Sequence, residues 1–295
     1  MVKKKYHIHM ILENELMSRH TTFRIGGKAR WFVVPETVEE LFEAIKKAER
    51  EGHRHFILGG GANVLFPDDG YDGVVISTEA LSEIYFDEKG LLHAGCGAKI
   101  SDVAKFAVEN GKAGIQFFYS MPGSTGGAIY MNARCYNVSI ADVLLSTKYL
   151  DKSGNICNLE TNGADFDYKV SPFQTNGGII LEGIFAVSNG DSSELKAEML
   201  GYESDRTSKG HFIYPCAGSV FKNNHSFGQP SGKIIDSLGL RGYTIGGAKI
   251  SEHHANIIVN TGGASAQDVK DLVSFVERKV EERYGFKLER EIIYV

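Results

Sequence analysis

Two glycine-rich segments constrain the fold of this chain more than any other feature. Gly59-Gly60-Gly61-Ala62-Asn63 lies between the apolar runs Phe56-Ile57-Leu58 and Val64-Leu65-Phe66, and Ser120-Met-Pro-Gly-Ser-Thr-Gly-Gly-Ala-Ile-Tyr-Met-Asn-Ala133 runs into an apolar stretch. Glycine lets a main chain turn at positive φ and approach a ligand closely, and successive exposed N–H groups form a concavity suited to phosphate oxygens. Either segment alone also reads as a tight turn between strands. Two together suit the diphosphate of a dinucleotide. Neither matches the fingerprint of the doubly wound fold, which after Gly59 and Gly61 wants a third glycine where Val64 stands, and 119–128 lacks its spacing. No Gly-x-x-x-x-Gly-Lys-Ser/Thr loop occurs, so a standard nucleotide fold is disfavoured.

With 295 residues the chain can form two domains, or one with an added lobe, around a substantial core. Its net charge of −5 argues against general nucleic-acid binding, which needs a basic face, and Lys3, Lys4 and Lys5 read as a solvated terminus. Tyr6 to Leu16 is interrupted by His7, His9, Glu13, Asn14 and Glu15, unlike a signal peptide, and no run approaches the ~20 apolar residues that span a bilayer. The expectation is a cytoplasmic protein without a membrane partner. Cys96, Cys135, Cys157 and Cys216 form no Cys-x-x-Cys pair, so neither a disulfide framework nor a structural metal site is indicated.

Along the chain, Ala29–Val34 reads as a strand ended by Pro35. Thr37-x-x-Glu40 is a capping box for a helix with Val38, Leu41, Ile45 and Ala48 on one face, stopped by Gly52. Gly73–Ser77 and Leu91–Ala94 are strand-like, and Ser101 can cap a helix through Val103, Ala104, Ala107 and Val108, closed by Gly111. Leu144–Leu150, Ile156–Leu159 and Ile179–Val187 are strands separated by turn residues, and composition shifts at 188–193. Ser265 with Asp268 caps a helix whose stripe is Val269, Leu272, Val273, Val276 and Val280, closed by Gly285; Leu288–Val295 is a final strand. The mixture predicts an α+β architecture.

Chemistry could sit at Tyr214-Pro-Cys-Ala-Gly-Ser-Val-Phe-Lys-Asn-Asn224, where Ser219 is either a poised hydroxyl or a turn serine entering a strand; no Gly-x-Ser-x-Gly elbow surrounds it. Residues 246–260 are rich in polar groups within apolar sequence. His253 and His254 are adjacent, so they point apart on a regular element and read as surface or capping histidines rather than a metal pair.

Thr22–Gly27, Gly59–Leu65, Pro122–Ala133, Tyr168–Ser171, Gly218–Asn223, Gly246–Asn260 and Leu288–Ile292 together resemble, in order and over nearly the whole chain, the UDP-N-acetylenolpyruvoylglucosamine reductases of peptidoglycan precursor synthesis. The short length resembles that family's second type. The resemblance implies a two-lobed FAD-binding domain of the vanillyl-alcohol-oxidase (PCMH) type over residues 1–190, with lobes of about 1–80 and 81–190. A smaller α+β substrate-binding domain over 191–295 follows, its last strand returning to the first lobe. It implies FAD contacts from Arg24, Gly59, Gly60, Gly61, Ala62, Asn63, Val64, Pro122, Gly123, Ser124, Thr125, Gly126, Gly127, Asn132 and Ala133. No Cys or His stands in a flavin-attachment motif, so the FAD is expected to be non-covalent. NADPH would reduce the flavin, and hydride would then pass to the enolpyruvyl double bond of the UDP-sugar. By resemblance Ser219 donates the proton, Glu291 polarises the substrate carboxylate, and Tyr168, Lys222 and Asn223 bind substrate. A monomer is favoured.

The chain departs from that pattern in places. Lys169 of Tyr168-Lys-Val-Ser171 stands where the family has a catalytic arginine, Arg134-Cys135 replaces Gly-Ala, and Asn224 replaces a proline. Lysine keeps the charge but not the planar fork that pairs with a carboxylate through two hydrogen bonds. A related flavin oxidoreductase acting on another acidic substrate, and a non-catalytic flavin- or nucleotide-binding protein, are the competing readings.

Overall fold

The computed structural model describes residues 10–162 and 164–295, so the lysines at positions 3–5, read as a solvated end, lie outside the described residues. The described residues divide into two compact units: one holds 10–13, Trp31–Gly60 and Gly73–Ser204, the other Asn14–Arg30, Gly61–Asp72 and Asp205–Val295. Among the described residues no helix is long and apolar enough to cross a membrane.

The first unit is built on a five-stranded sheet in the order Ile156–Glu160, Leu144–Leu150, Ile179–Phe185, Leu92–Gly95, Ile84–Phe86, antiparallel throughout. Alternation along Leu92–Gly95 buries Leu92 and Ala94, which join Ile100, Val103, Ala104 and Ala107 of the helix Ile100–Glu109 in one core. That helix begins two residues earlier than a cap at Ser101 would set it, with Lys99 at the N-cap. Ser101 therefore lies inside the first turn, and its hydroxyl accepts the Ser120 N–H at 2.9 Å instead of capping the helix. A second core packs Leu41, Ala44, Ile45 and Ala48 of the helix Val38–Arg50 against Val74 and Ile76, whose strand runs parallel to His55–Leu58. Thr37 caps that helix by accepting the Glu40 N–H at 3.2 Å, while the Glu40 carboxylate reaches past Thr37 to the Glu36 N–H at 2.9 Å, so the capping box is half formed. The helix Ser192–Ser208 extends well beyond its brief sequence signal, burying Leu195 and Met199 against Val108.

In the second unit, Cys216–Ser219, Ile257–Asn260, Ala248–Ile250 and Thr244–Ile245 make an antiparallel sheet in that order. The helix Ala266–Tyr284 carries the full capping box of Ser265 and Asp268 and ends at Gly285 with φ 76°. All five residues of its expected stripe are buried in a core shared with Phe23, Ile25, Leu65, Val220 and Phe221. Each such side chain, taken fully out of water, contributes roughly 1.5–3 kcal/mol. The last stretch, expected as one strand from Leu288, is strand only at Ile293–Tyr294, parallel to Val64–Leu65. The reason is a change of partner. Lys222 N–H donates to the Glu289 carbonyl at 2.8 Å and Phe221 bridges Arg290, after which the chain turns to Asn63 and Leu65.

Candidate active site

In the first unit the two glycine-rich segments touch. Gly60 N–H donates to Ser124 Oγ at 3.2 Å, and a Cβ added at Gly60 would stand 2.7 Å from Gly123 Cα. A Cβ at Gly59 would stand 2.4 Å from Ser124 Oγ. The approach is closed to any residue with a side chain. Pro122-Gly123 leads into the short helix Thr125–Tyr130, not anticipated from the sequence, whose N-cap is Ser124; Ser124 Oγ accepts the Gly127 N–H at 3.3 Å. Thr125 is fully buried and donates its hydroxyl to the Ala98 carbonyl at 3.0 Å, and Gly126 N–H donates to the Cys96 carbonyl at 2.8 Å, pinning this turn to the sheet. Burial pushes the Cys96 thiol up to about 12, so it stays protonated and unreactive.

The helix ends at Tyr130, and two residues on Asn132 is buried with φ 39°. Its carboxamide donates to the Asp167 carbonyl at 2.7 Å and accepts the Ala141 N–H at 3.1 Å, and Ala133 N–H closes on the Ala128 carbonyl at 2.8 Å. Asp167 begins the turn that carries Tyr168 and Lys169, closed by reciprocal main-chain bonds between Asp167 and Val170. Ser171 Oγ donates to the Tyr130 carbonyl at 2.7 Å. The second glycine-rich segment and the Tyr168–Ser171 segment, distant in sequence, are thus joined within one unit. Lys169 is half-buried at φ 59°, the left-handed region that glycine or asparagine normally occupies in such turns. Arg134 is exposed on a two-residue ribbon and donates to Ser139 Oγ at 3.2 Å.

In the second unit, Gly61 (φ 61°) could carry no side chain, since a Cβ would stand 2.1 Å from the His20 carbonyl oxygen. Its own carbonyl accepts the Thr22 N–H at 3.1 Å, and Thr22 Oγ1 donates to the Cys216 carbonyl at 2.7 Å. Exposed Arg24, at φ 54°, lies two residues on. Ala62 and Asn63 are half-buried and Val64 is buried at the start of its strand. Asn63 Nδ2 donates to the Glu291 carbonyl at 3.0 Å, and Glu291 N–H donates to the Val220 carbonyl at 2.7 Å, one residue beyond Ser219. Ser219 and Glu291 are both half-buried. The two acids of Leu288-Glu-Arg-Glu separate clearly: Glu289 pairs with the Lys222 ammonium at 2.5 Å. Arg290 grips Glu277 with two 2.6 Å bonds, and Glu291 follows it. Asn223 Oδ1 accepts the Ser231 N–H at 2.9 Å, so its carboxamide is engaged at the start of the helix Ser231–Ser237.

Asn256, a residue not singled out in the sequence, is buried and hydrogen-bonds the main chain of Phe221 in both directions. The only sequence signal for it was the polar content of residues 246–260. Of the two histidines read as surface or capping residues, His253 is exposed, whereas His254 is half-buried in a turn, where its Nδ1 accepts the Asn256 N–H at 3.2 Å. Burial lowers the affinity of His254 for protons, and at His211, whose ring lies 6.1 Å away, burial with nearby Arg206 brings the pKa to about 4.

Residues 210–295 match the family model described as UDP-N-acetylenolpyruvoylglucosamine reductase, C-terminal domain, and residues 29–160 match an FAD binding domain. The chain is 40% identical over 290 residues to the UDP-N-acetylenolpyruvoylglucosamine reductase of Treponema denticola, covering 93% of this chain and 90% of that one. It is 35% identical to the protein of the same name from Borreliella burgdorferi, covering 95% and 92%. The crystal structure of the Thermus caldophilus enzyme (MurB) superposes with a TM-score of 0.80 at 30% identity, covering 97% of this chain and 98% of that one. The expected α+β fold with an FAD-binding domain of the PCMH type is therefore the fold of this protein. At these identities over nearly the full length of both partners, the chain belongs to the UDP-N-acetylenolpyruvoylglucosamine reductase family.

Proposed function

We propose that this protein is an NADPH-dependent flavoenzyme that reduces the enolpyruvyl group of UDP-N-acetylglucosamine enolpyruvate, giving UDP-N-acetylmuramate for peptidoglycan synthesis. The observation that carries the reading is the chain of contacts Asn63, Glu291, Val220, which ties a glycine-rich loop, the main chain of Glu291 and the Ser219 segment together by hydrogen bonds. We assign the flavin to residues 1–190 and substrate recognition to 191–295, the last strand returning to the amino-terminal lobe. The enzyme acts as a cytoplasmic monomer on a small-molecule UDP-sugar, with no nucleic-acid or membrane partner.

The residues present fit FAD. The closeness of Gly60 to Gly123, with Ser124 capping a helix start between them, supports a diphosphate site formed by Gly59, Gly60 and Pro122–Gly127. Asn132 and Ala133 follow in the same unit, and the family resemblance assigns Arg24 and Gly61–Val64 to FAD as well. When bound, FAD supplies the two-electron carrier between NADPH and the enolpyruvyl double bond.

The protein's own residues manage charge and protons. Adding hydride to an enol ether leaves negative charge developing toward the carboxylate, and stabilising it lowers the barrier. Glu291 polarises that carboxylate through a shared proton or water, and the Lys169 ammonium supplies positive charge. The Ser219 hydroxyl delivers the proton to the neighbouring carbon. Tyr168, Lys222 and Asn223 hold the UDP-sugar.

The test is to purify the protein, record its flavin spectrum, and follow NADPH oxidation with and without the enolpyruvyl UDP-sugar. A yellow protein that releases FAD on denaturation and oxidises NADPH only with that substrate is expected. A colourless protein that gains no absorbance with FAD would overturn the reading. One observation favours a second reading: Lys169, at positive φ, stands where the family has arginine. Flavin reduced by NADPH but not reoxidised by the enolpyruvyl sugar would mark a related oxidoreductase with a different acidic substrate.

A further inference from the structure

We propose that Asn256 is a positioning residue for Ser219, its carboxamide clamping the main chain just beyond a bulge that aims the serine hydroxyl. The inference rests on the assignment of Ser219 as proton donor above.

The strand Cys216–Ser219 pairs with Ile257–Asn260 so that Cys216 faces Val259 and Ser219 faces Ile257, three steps against two. The extra residue makes a bulge, and Gly218 within it sits at φ 73°. The bulge decides where Ser219 points. In an unbroken strand Ala217 and Ser219 share a face, and Ala217 is in the core, so the hydroxyl would face apolar side chains. Here Ala217 and Val220 are both buried in that core although three residues apart, and Ser219 between them is only half-buried. The bulge has turned it away.

A bulge also interrupts the ladder, leaving the main chain after it to be held by other contacts. Asn256 provides them. Its Oδ1 accepts the Phe221 N–H at 3.0 Å, its Nδ2 donates to the Phe221 carbonyl at 2.8 Å, and its own carbonyl accepts the Val220 N–H at 2.8 Å. Glu291 grips the same residue from its carbonyl side. At 3% exposure the carboxamide has little access to water, so its partners are fixed rather than exchangeable. Donor and acceptor on one short planar group is the requirement: aspartate would face the Phe221 carbonyl with a second acceptor, and alanine would leave both groups unmet. With Oδ1 and Nδ2 both engaged by the Phe221 main chain, Asn256 acts through the backbone, which makes it a positioning residue rather than a catalytic one.

The experiment measures both half-reactions by stopped flow for Asn256→Asp, Asn256→Ala and Gly218→Ala, and for Asn256→Ala combined with Ser219→Ala. A misplacement of about 1 Å can cost on the order of a hundredfold, so flavin reduction by NADPH should stay near the wild-type rate while reoxidation by the enolpyruvyl UDP-sugar falls roughly 10- to 100-fold. In the Ser219→Ala background Asn256→Ala should add little, because its effect runs through the missing hydroxyl. Gly218→Ala perturbs the bulge independently of the carboxamide: a Cβ there meets nothing within 4 Å, so its effect comes from the strain of a side chain at positive φ, and the intact NADPH half-reaction shows that each variant is folded. Ser219→Ala slow with Asn256→Asp and Gly218→Ala at the wild-type rate overturns the clamp alone, as does an Asn256→Ala loss of equal size in both backgrounds. Ser219→Ala at the wild-type rate overturns the proton-donor assignment and the clamp together.

Discussion

Gly60 and Ser124, 64 residues apart, are joined by a 3.2 Å hydrogen bond from the glycine N–H to the serine hydroxyl, which also accepts the Gly127 N–H at the start of a helix. One small oxygen thus both caps the helix and holds two glycine-rich segments together. Ser124→Ala removes the one acceptor of both bonds. Loss of a cap costs ~1 kcal/mol, and the loosened loop should weaken FAD retention. Thermal unfolding and FAD titration of the apoprotein measure the two effects; a variant matching wild type in both would refute this role.

Ser219→Ala should leave flavin reduction by NADPH intact and slow reoxidation by the enolpyruvyl substrate, because protonation belongs only to the second half-reaction. General acid assistance is typically worth about a hundred- to ten-thousandfold. Unchanged reoxidation would remove Ser219 from the mechanism.

Lys169 combines a retained charge with a left-handed backbone. Lys169→Ala should slow the substrate half-reaction while FAD content and NADPH reduction stay near normal, and Lys169→Arg should retain much more activity than the alanine variant. Lys169→Gly suits the turn without carrying charge. It should fold at least as well as the alanine variant and be equally slow, which separates strain from electrostatics. An alanine variant reoxidising at the wild-type rate would point to another cation, with Arg134 the first to test.

Stability should fall on mild acidification. The folded protein holds His211 neutral down to about pH 4, through burial first and then the charge of Arg206, whereas the unfolded chain takes up the proton near the ordinary histidine value. The unfolded state therefore binds more protons in that interval, and stability is full above about pH 6.5 and lost as pH falls toward 4. His254 shifts in the same direction through burial, and its Nδ1 must stay unprotonated to accept the Asn256 N–H. Between pH 7 and 5, above the carboxylate range, the loss should be on the order of 1 kcal/mol once solvent screening of these half-buried rings is allowed for. Urea unfolding across that interval measures it, and His211→Asn should flatten the slope; a flat wild-type profile would contradict the assignment.

The sequence by itself determined whatever rests on neighbouring residues. Ser265 with Asp268 and the valine and leucine stripe behind them define the long carboxy-terminal helix, because a cap and a helical face need only residues within a few turns. The run Leu144–Leu150 declares its own strand in the same way. The glycines of both loops were legible because a backbone that must pass within touching distance of another admits no side chain.

Tertiary structure decided whatever depends on two distant segments meeting. Ser101 is an acceptable cap by local rules, but the helix begins at Ile100 and the Ser120 N–H takes its hydroxyl. Leu288–Val295 has the composition of one strand, yet its hydrogen bonds are shared between Phe221–Lys222 and residues 63–65, so only its last part pairs regularly. The direction of Ser219 follows from a bulge that exists only because Cys216–Ser219 pairs with Ile257–Asn260 one residue out of step. The clamp by Asn256 across that pairing has no local signature at all. Hydrogen bonds between residues 35 or 228 positions apart are set by packing of the whole unit, and no window of sequence contains both partners.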